Sequence, residues 1–212
     1  MRECIFLLAD SNMQAAFEGF LSREGFHQSL GCGPFDFDPR LDIKVAAGDN
    51  DPGLFTRGHE LLRPFQSSHY RAVIVLDAKW EGSPGAEAIK QHLTEQIQST
   101  GWEEDSFQVI VIDPELENWI WQQNDHVARG LGFDNANALI TDSDIRQVWP
   151  DGATKPIQPK AILETVLKKK HIPRSSAIYK RITSQVSVKR CQDGAFHELL
   201  ATLKTWFPVE GV

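Results

Sequence analysis

Acidic side chains follow three of the four apolar runs in this chain. Asp10 comes directly after Cys4–Ala9, and Asp77 closes Ala72–Leu76 with Glu81 four residues on. Asp113, Glu115 and Glu117 follow Phe107–Ile112. Runs of this length, continuous and rich in β-branched residues, suit strands buried on both faces. If the strands are parallel neighbours, their carboxyl ends form one rim, which is where ligands sit in open sheets of this kind. Several carboxylates on one rim repel each other unless a divalent cation or a raised pKa relieves them. Oxygen-only donors of this type point to a Mg2+-type site, with Asp10, Asp77 and Glu117 as its ligands. The competing reading is that Asp10 and Asp77 only cap the helix or turn that follows them.

The elements that would hold these acids can be read from periodicity. Strands are expected near 4–9, 43–47, 72–76 and 107–112. Between them lie helical patterns: Met13, Ala16, Phe17, Phe20 and Leu21 before Gly25, then 54–65 and 86–97. Strands alternating with helices imply an α/β fold with a mostly parallel, Rossmann-like sheet flanked by helices. Residues 29–40 read as loop. Gly48–Gly53, Gly-Asp-Asn-Asp-Pro-Gly, is acidic enough to touch a cation, but it lacks calcium-loop spacing and reads as a turn. Periodicity weakens from 122 to 158. Arg129-Gly-Leu-Gly-Phe133 has no strand before it, so no organic cofactor is expected. Helices resume at 159–170, 175–188 and 195–206. The chain divides into an α/β domain over 1–150 and a basic helical C-terminal extension over 151–212 packed on it.

The extension is basic although the chain carries a net charge of −7: residues 151–212 hold 11 of the 22 Lys and Arg but only 5 of the 29 Asp and Glu. Lys168, Lys169, Lys170, Arg174, Lys180 and Arg181 are its candidate nucleic-acid contacts, and Lys189 and Arg190 extend the set. Alternatively, this basic surface packs against the acidic body. No apolar run reaches the ~20 residues a membrane span requires. Cys4, Cys32 and Cys191 have no metal-ligand spacing and read as free thiols of a cytoplasmic protein.

Two stretches carry a family resemblance. Leu76-Asp-Ala-Lys-Trp-Glu-Gly-Ser-Pro-Gly85 resembles the Asp-x-Asp region of the Toprim domain, and Pro114-Glu-Leu-Glu-Asn-Trp-Ile-Trp121 resembles its later acid-plus-tryptophan segment. The tail, with Pro159-Lys160 opening a helix and Cys191–Leu203 leading into a closing one, is similar to small single-domain Toprim relatives of the overcoming-lysogenisation-defect nucleases. That resemblance implies an accessory or scaffold subunit of a prokaryotic anti-phage or restriction-like defence system, with other protein subunits as partners. Its alternative is an active Mg2+-dependent nuclease using Asp77, Glu81 and Glu117. The chain departs from the family where Lys79 replaces the second acid and where Ala9 or Asp10 stands for the first Glu. If the loop after Asp77 is extended, Lys79 shares a side with Asp77 and is expected to pair with Asp77 or Glu117, replacing a cation.

Overall fold

The computed structural model describes residues 1–46, 48 and 50–209. It opens with β1 (Arg2–Leu8). The Asp10 carboxylate then accepts the N–H groups of Asn12 and Met13, both at 2.8 Å, and starts α1 (Ser11–Leu21). These bonds satisfy donors that a helix N-terminus leaves orphaned. The stretch expected as loop is partly helical. It takes in the end of α2 (Phe26–Leu30) and the start of α3 (Pro39–Asp42), where Asp38 caps and Pro39 presets the first turn.

β2 (Ile43–Val45) is short. Ala47, expected in that strand, and Asp49 of the acidic turn lie outside the described residues. The rest of that turn is not a free loop, because α4 (Asn50–Leu62) already begins at Asn50. β3 (His69–Asp77) is the longest strand and is followed by α5 (Ala86–Ser99) and β4 (Phe107–Ile112). A single turn, α6 (Glu117–Ile120), comes next. The weakly periodic region holds three short helices: α7 (Asp125–Gly130), α8 (Ala136–Ile140) and α9 (Ser143–Val148). Each is capped by a side-chain oxygen, from Asn124, Asn135 and Asp142 respectively. Their order comes from caps more than from a hydrophobic stripe. α10 (Pro159–Lys169), α11 (Ser176–Thr183) and α12 (Gly194–Trp206) complete the chain. Among the described residues no helix is long and apolar enough to cross a membrane.

The four strands form one all-parallel sheet in the order β2-β1-β3-β4. Phe6 pairs with Val73 and Leu7 with Ile74. Alternation along a strand therefore sends Phe6 and Ile74 to opposite faces. Phe6 meets Phe17 of α1, with ring centroids 5.5 Å apart. On the other side α4 comes so close at Gly58 that an added Cβ would lie 2.5 Å from Ile74 Cδ1. With helices on both faces, Ala72–Leu76 is wholly buried, which explains its unbroken apolar sequence.

The C-terminal segment is not an appendage. α11 packs along α1, and α12 packs on β4. At Gly19 an added Cβ would fall 2.0 Å from Thr183 Oγ1 and 2.7 Å from the Lys180 carbonyl, so these helices touch backbone to backbone. Phe20, Trp119 and Phe196 join α1, α6 and α12 in one aromatic cluster. The described residues of the 151–212 stretch thus complete the core begun by residues 1–150, and the two stretches share a single apolar interior.

Candidate functional site

The strand register aligns the carboxyl ends. Leu8 lies beside Val45 and Val75, and Asp77 lies beside Ile112. Whatever follows each strand is delivered to the same edge. From β1 comes Asp10, half-buried at the start of α1. From β2 comes Asp51, in the first turn of α4, whose Oδ1 accepts the backbone N–H of Asp77 at 2.7 Å. β3 supplies Asp77 itself, 8% exposed, whose Oδ1 accepts the N–H of Leu116 at 2.8 Å. From β4 come Glu115 and Glu117. Glu117 is 3% exposed and accepts the Tyr179 hydroxyl at 2.6 Å. Glu115 accepts the backbone N–H of Lys160 at 2.9 Å and so ties the start of α10 to this edge.

Asp10, Asp51, Asp77 and Glu117 thus each commit one oxygen to a hydrogen bond that fixes the side chain. The second oxygens of Asp10 and Asp77 have no hydrogen-bond partner among the described residues, whereas Asp51 and Glu117 each also receive a hydrogen bond from their own backbone N–H. Burial pushes the Asp77 carboxyl well above the usual carboxylate range, and the charges of Asp51, Glu117 and Asp10 push the same way against the Leu116 bond. Burial likewise raises Asp51, opposed by the bond from Asp77 N–H, with Asp10 raising and Lys160 lowering it further. Glu117 is raised by burial, and the Tyr179 hydroxyl opposes that shift. The Tyr179 phenol is itself held far above its ordinary value by burial and by the adjacent carboxylate.

The opposite edge of the sheet shows how this fold treats a buried acid that has a structural role. There Asp42, fully buried, is paired with the Arg2 guanidinium, Nη2 lying 2.6 Å from Oδ2, and it meets His69 Nε2 at 3.3 Å. Asp10, Asp51, Asp77 and Glu117 form no ion pair with any Lys, Arg or His among the described residues. Lys160 bears on Asp51 and Glu117 only at longer range. Among the described residues no group of three or more His, Cys, Asp or Glu side chains is arranged to hold a metal ion. The rim is therefore an open set of carboxylates rather than a closed cage.

Of the residues expected at this site, Asp10, Asp77 and Glu117 converge. Glu81 does not: it lies exposed in the turn after β3 with no hydrogen bond or ion pair among the described residues. The expected pairing of Lys79 with Asp77 or Glu117 is also absent. Lys79 is exposed and makes no ion pair among the described residues. Its backbone N–H bonds to Pro114 O, and that of Ala78 bonds to Ile112 O, so the chain stays beside the end of β4 while the Lys79 side chain faces solvent. Asp51 was missed because its segment read as a turn. The signal was the acid-rich Gly-Asp-Asn-Asp-Pro-Gly following a strand, the same context as the other three acids. Tyr179 carried no sequence signal toward this site. Trp119 and Trp121 are wholly buried, with Trp119 Nε1 donating to Asp193 and Trp121 Nε1 to Pro159 O, so they are core anchors and not a stacking platform.

The basic residues of the tail are largely occupied within the fold. Lys169 pairs with Asp142 and Asp144, Arg174 with Glu164, and Lys180 with Glu18. Arg181 donates to Gly130 O, and Lys170, half-buried, sits 4.0 Å over the Phe133 ring. Lys168 is exposed without an ion pair among the described residues. The set is dispersed over neighbouring acids and carbonyls, as expected of a surface packed against the acidic body. The chain matches no protein-family model, no curated protein and no solved structure.

Proposed function

We propose that the acidic rim is a divalent-cation site serving phosphodiester cleavage, with Asp10, Asp51, Asp77 and Glu117 as its carboxylates. The observation that carries this reading is the contrast between the two edges of the sheet: the buried acid at the amino edge has the Arg2 guanidinium as its partner, while the four acids from four strand ends have no ion-pair partner among the described residues. The donor chemistry fits a hard cation, since every candidate ligand is a carboxylate oxygen. A cation bound there would supply an activated water and neutralise charge on phosphoryl oxygens.

The remaining roles belong to the chain itself. Leu116 N–H, Asp77 N–H, the α1 amides and Tyr179 each fix one oxygen of a carboxylate, and the second oxygens of Asp10 and Asp77 are left for a ligand. Lys160, at the start of α10, adds positive charge near Asp51 and Glu117, where a substrate phosphate would need it. Asp51 takes the place of the second acid that Lys79 removes from the Asp-x-Asp pattern, so the Toprim resemblance favours the same chemistry. With Lys79 turned to solvent, its ammonium does not stand in for a cation at the rim, which favours the cation reading although the two departures from the family's acids remain.

The test is calorimetry with Mn2+ and Mg2+ on the unmodified protein and on Asp51→Asn and Asp77→Asn. It is paired with cleavage assays on single- and double-stranded oligonucleotides. Binding that weakens at least about tenfold in each variant, a loss of ~1.4 kcal/mol, together with metal-dependent cleavage abolished by Asp77→Asn, is the expected result. Absence of metal binding at millimolar concentration would overturn the proposal and return the chain to the accessory-subunit reading.

A further inference from the structure

A separate cleft of about 430 Å³ opens between the segment after α6 and the link that precedes α10. Lys155 and Arg190 line it, together with the carboxamides of Gln122, Gln123, Asn124 and Gln192. Lys155 is half-buried, and its ammonium donates to the Asn118 and Trp121 carbonyls at 2.5 and 2.8 Å. An ammonium has three donors, so one remains for the cleft. Neither Lys155 nor Arg190 forms an ion pair among the described residues.

Burial lowers the Lys155 pKa, with Asp193 and Cys191 raising it only from a distance. A half-buried positive charge with no acidic partner among the described residues favours an anionic ligand. The carboxamides sort into two groups. Gln122 is fixed by Ser187 O at 3.1 Å and by Asn124 Nδ2 at 3.1 Å. Gln123 and Gln192 are exposed and have no side-chain hydrogen bond among the described residues. Free carboxamides match the paired donor and acceptor edges of nucleobases. The volume lies within the range of small-molecule sites.

We infer that this cleft binds a phosphorylated nucleoside, with Lys155 and Arg190 taking the phosphate and Gln123 and Gln192 taking the base. The inference stands apart from the metal reading of the rim, because none of the cleft residues is one of the rim carboxylates.

Calorimetry in EDTA tests it with the four ribonucleoside 5′-monophosphates, inorganic phosphate and ribose 5-phosphate as probes. At least one nucleotide should bind about tenfold more tightly than either phosphate control. Arg190→Ala should weaken that binding about tenfold, a loss of ~1.4 kcal/mol. The double change Gln123→Ala with Gln192→Ala should erase the preference over ribose 5-phosphate. Lys155→Gln keeps donors for the two carbonyls while removing the charge, and it too should bind weakly; Arg190→Ala, at an exposed position, keeps the test decisive if Lys155→Gln unfolds. Three results would each overturn the inference: no nucleotide binding at millimolar concentration, equal binding of nucleotide and inorganic phosphate, or unchanged binding by folded Arg190→Ala.

Discussion

Asp77 offers the sharpest test of the rim, because two substitutions separate its charge from its hydrogen bond. Asp77→Asn removes the charge but keeps an oxygen to accept Leu116 N–H. Asp77→Ala removes both. A carboxyl whose pKa is raised in the folded state binds its proton more tightly there than in the unfolded chain. Its contribution to stability is then fully present below about pH 4, the ordinary carboxylate value, and is lost as pH rises through the folded pKa. Asp51 and Glu117 are shifted the same way, so the metal-free protein should lose stability as pH climbs from 4 toward 8. Asp77→Asn should flatten that slope and, at pH 8, be more stable than the unmodified protein.

Asp77→Ala gains the same electrostatic relief but strands the buried Leu116 N–H, at a cost of about 1–3 kcal/mol. The two variants should therefore differ by that amount at every pH. In a chain of this size each kcal/mol moves the thermal midpoint by about 2–4 °C. Urea unfolding of the three proteins between pH 4 and 8, in EDTA, reads both quantities. An Asp77→Asn protein that is less stable than the unmodified one at pH 8 would refute the argument that the rim is electrostatically strained. Equal stability of the Asn and Ala variants would refute the role given to Leu116.

Tyr179→Phe removes the donor to Glu117 and should cost about 1–3 kcal/mol. Because the Glu117 carboxyl is raised, the loss should grow as pH rises and Glu117 gives up its proton; equal losses at pH 5 and pH 8 in urea unfolding would mean that the bond does not serve the anion. Gly19→Ala drives a Cβ into Thr183 and the Lys180 carbonyl and should destabilise by about 1–3 kcal/mol, the range for overpacking, as measured by thermal unfolding. Lys79→Ala and Lys79→Asp should each change stability by less than about 0.5 kcal/mol, as at other exposed positions. They should also leave Mn2+ affinity unchanged in calorimetry; a marked gain from Lys79→Asp would place that side chain at the rim after all.

The parallel sheet and its flanking helices are legible in the sequence because burial on both faces demands unbroken apolar stretches, and Ala72–Leu76 and Val109–Ile112 are such stretches. The positions of Asp10 and Asp77 follow from the same logic, since a residue directly after a parallel strand has only one edge to occupy. Local caps, too, are written locally: Asp10, Asn124, Asn135 and Asp142 bond amides two or three residues away. Tertiary structure decided everything that depends on distant partners. Asp51 enters the site because α4 starts almost at once after β2 and its carboxylate meets the amide of Asp77, 26 residues on. Tyr179 reaches Glu117 across 62 residues because α11 lies against α1 at a glycine. The side to which Lys79 turns is set by backbone bonds from Ala78 to the last residue of β4 and from Lys79 to Pro114 just beyond it. Charge counts could show that residues 151–212 are basic, but only packing pairs Lys169 and Lys180 with acids of the body and makes the tail part of the core: hydrogen bonds and ion pairs act over a few ångströms of space, and sequence separation does not measure that distance.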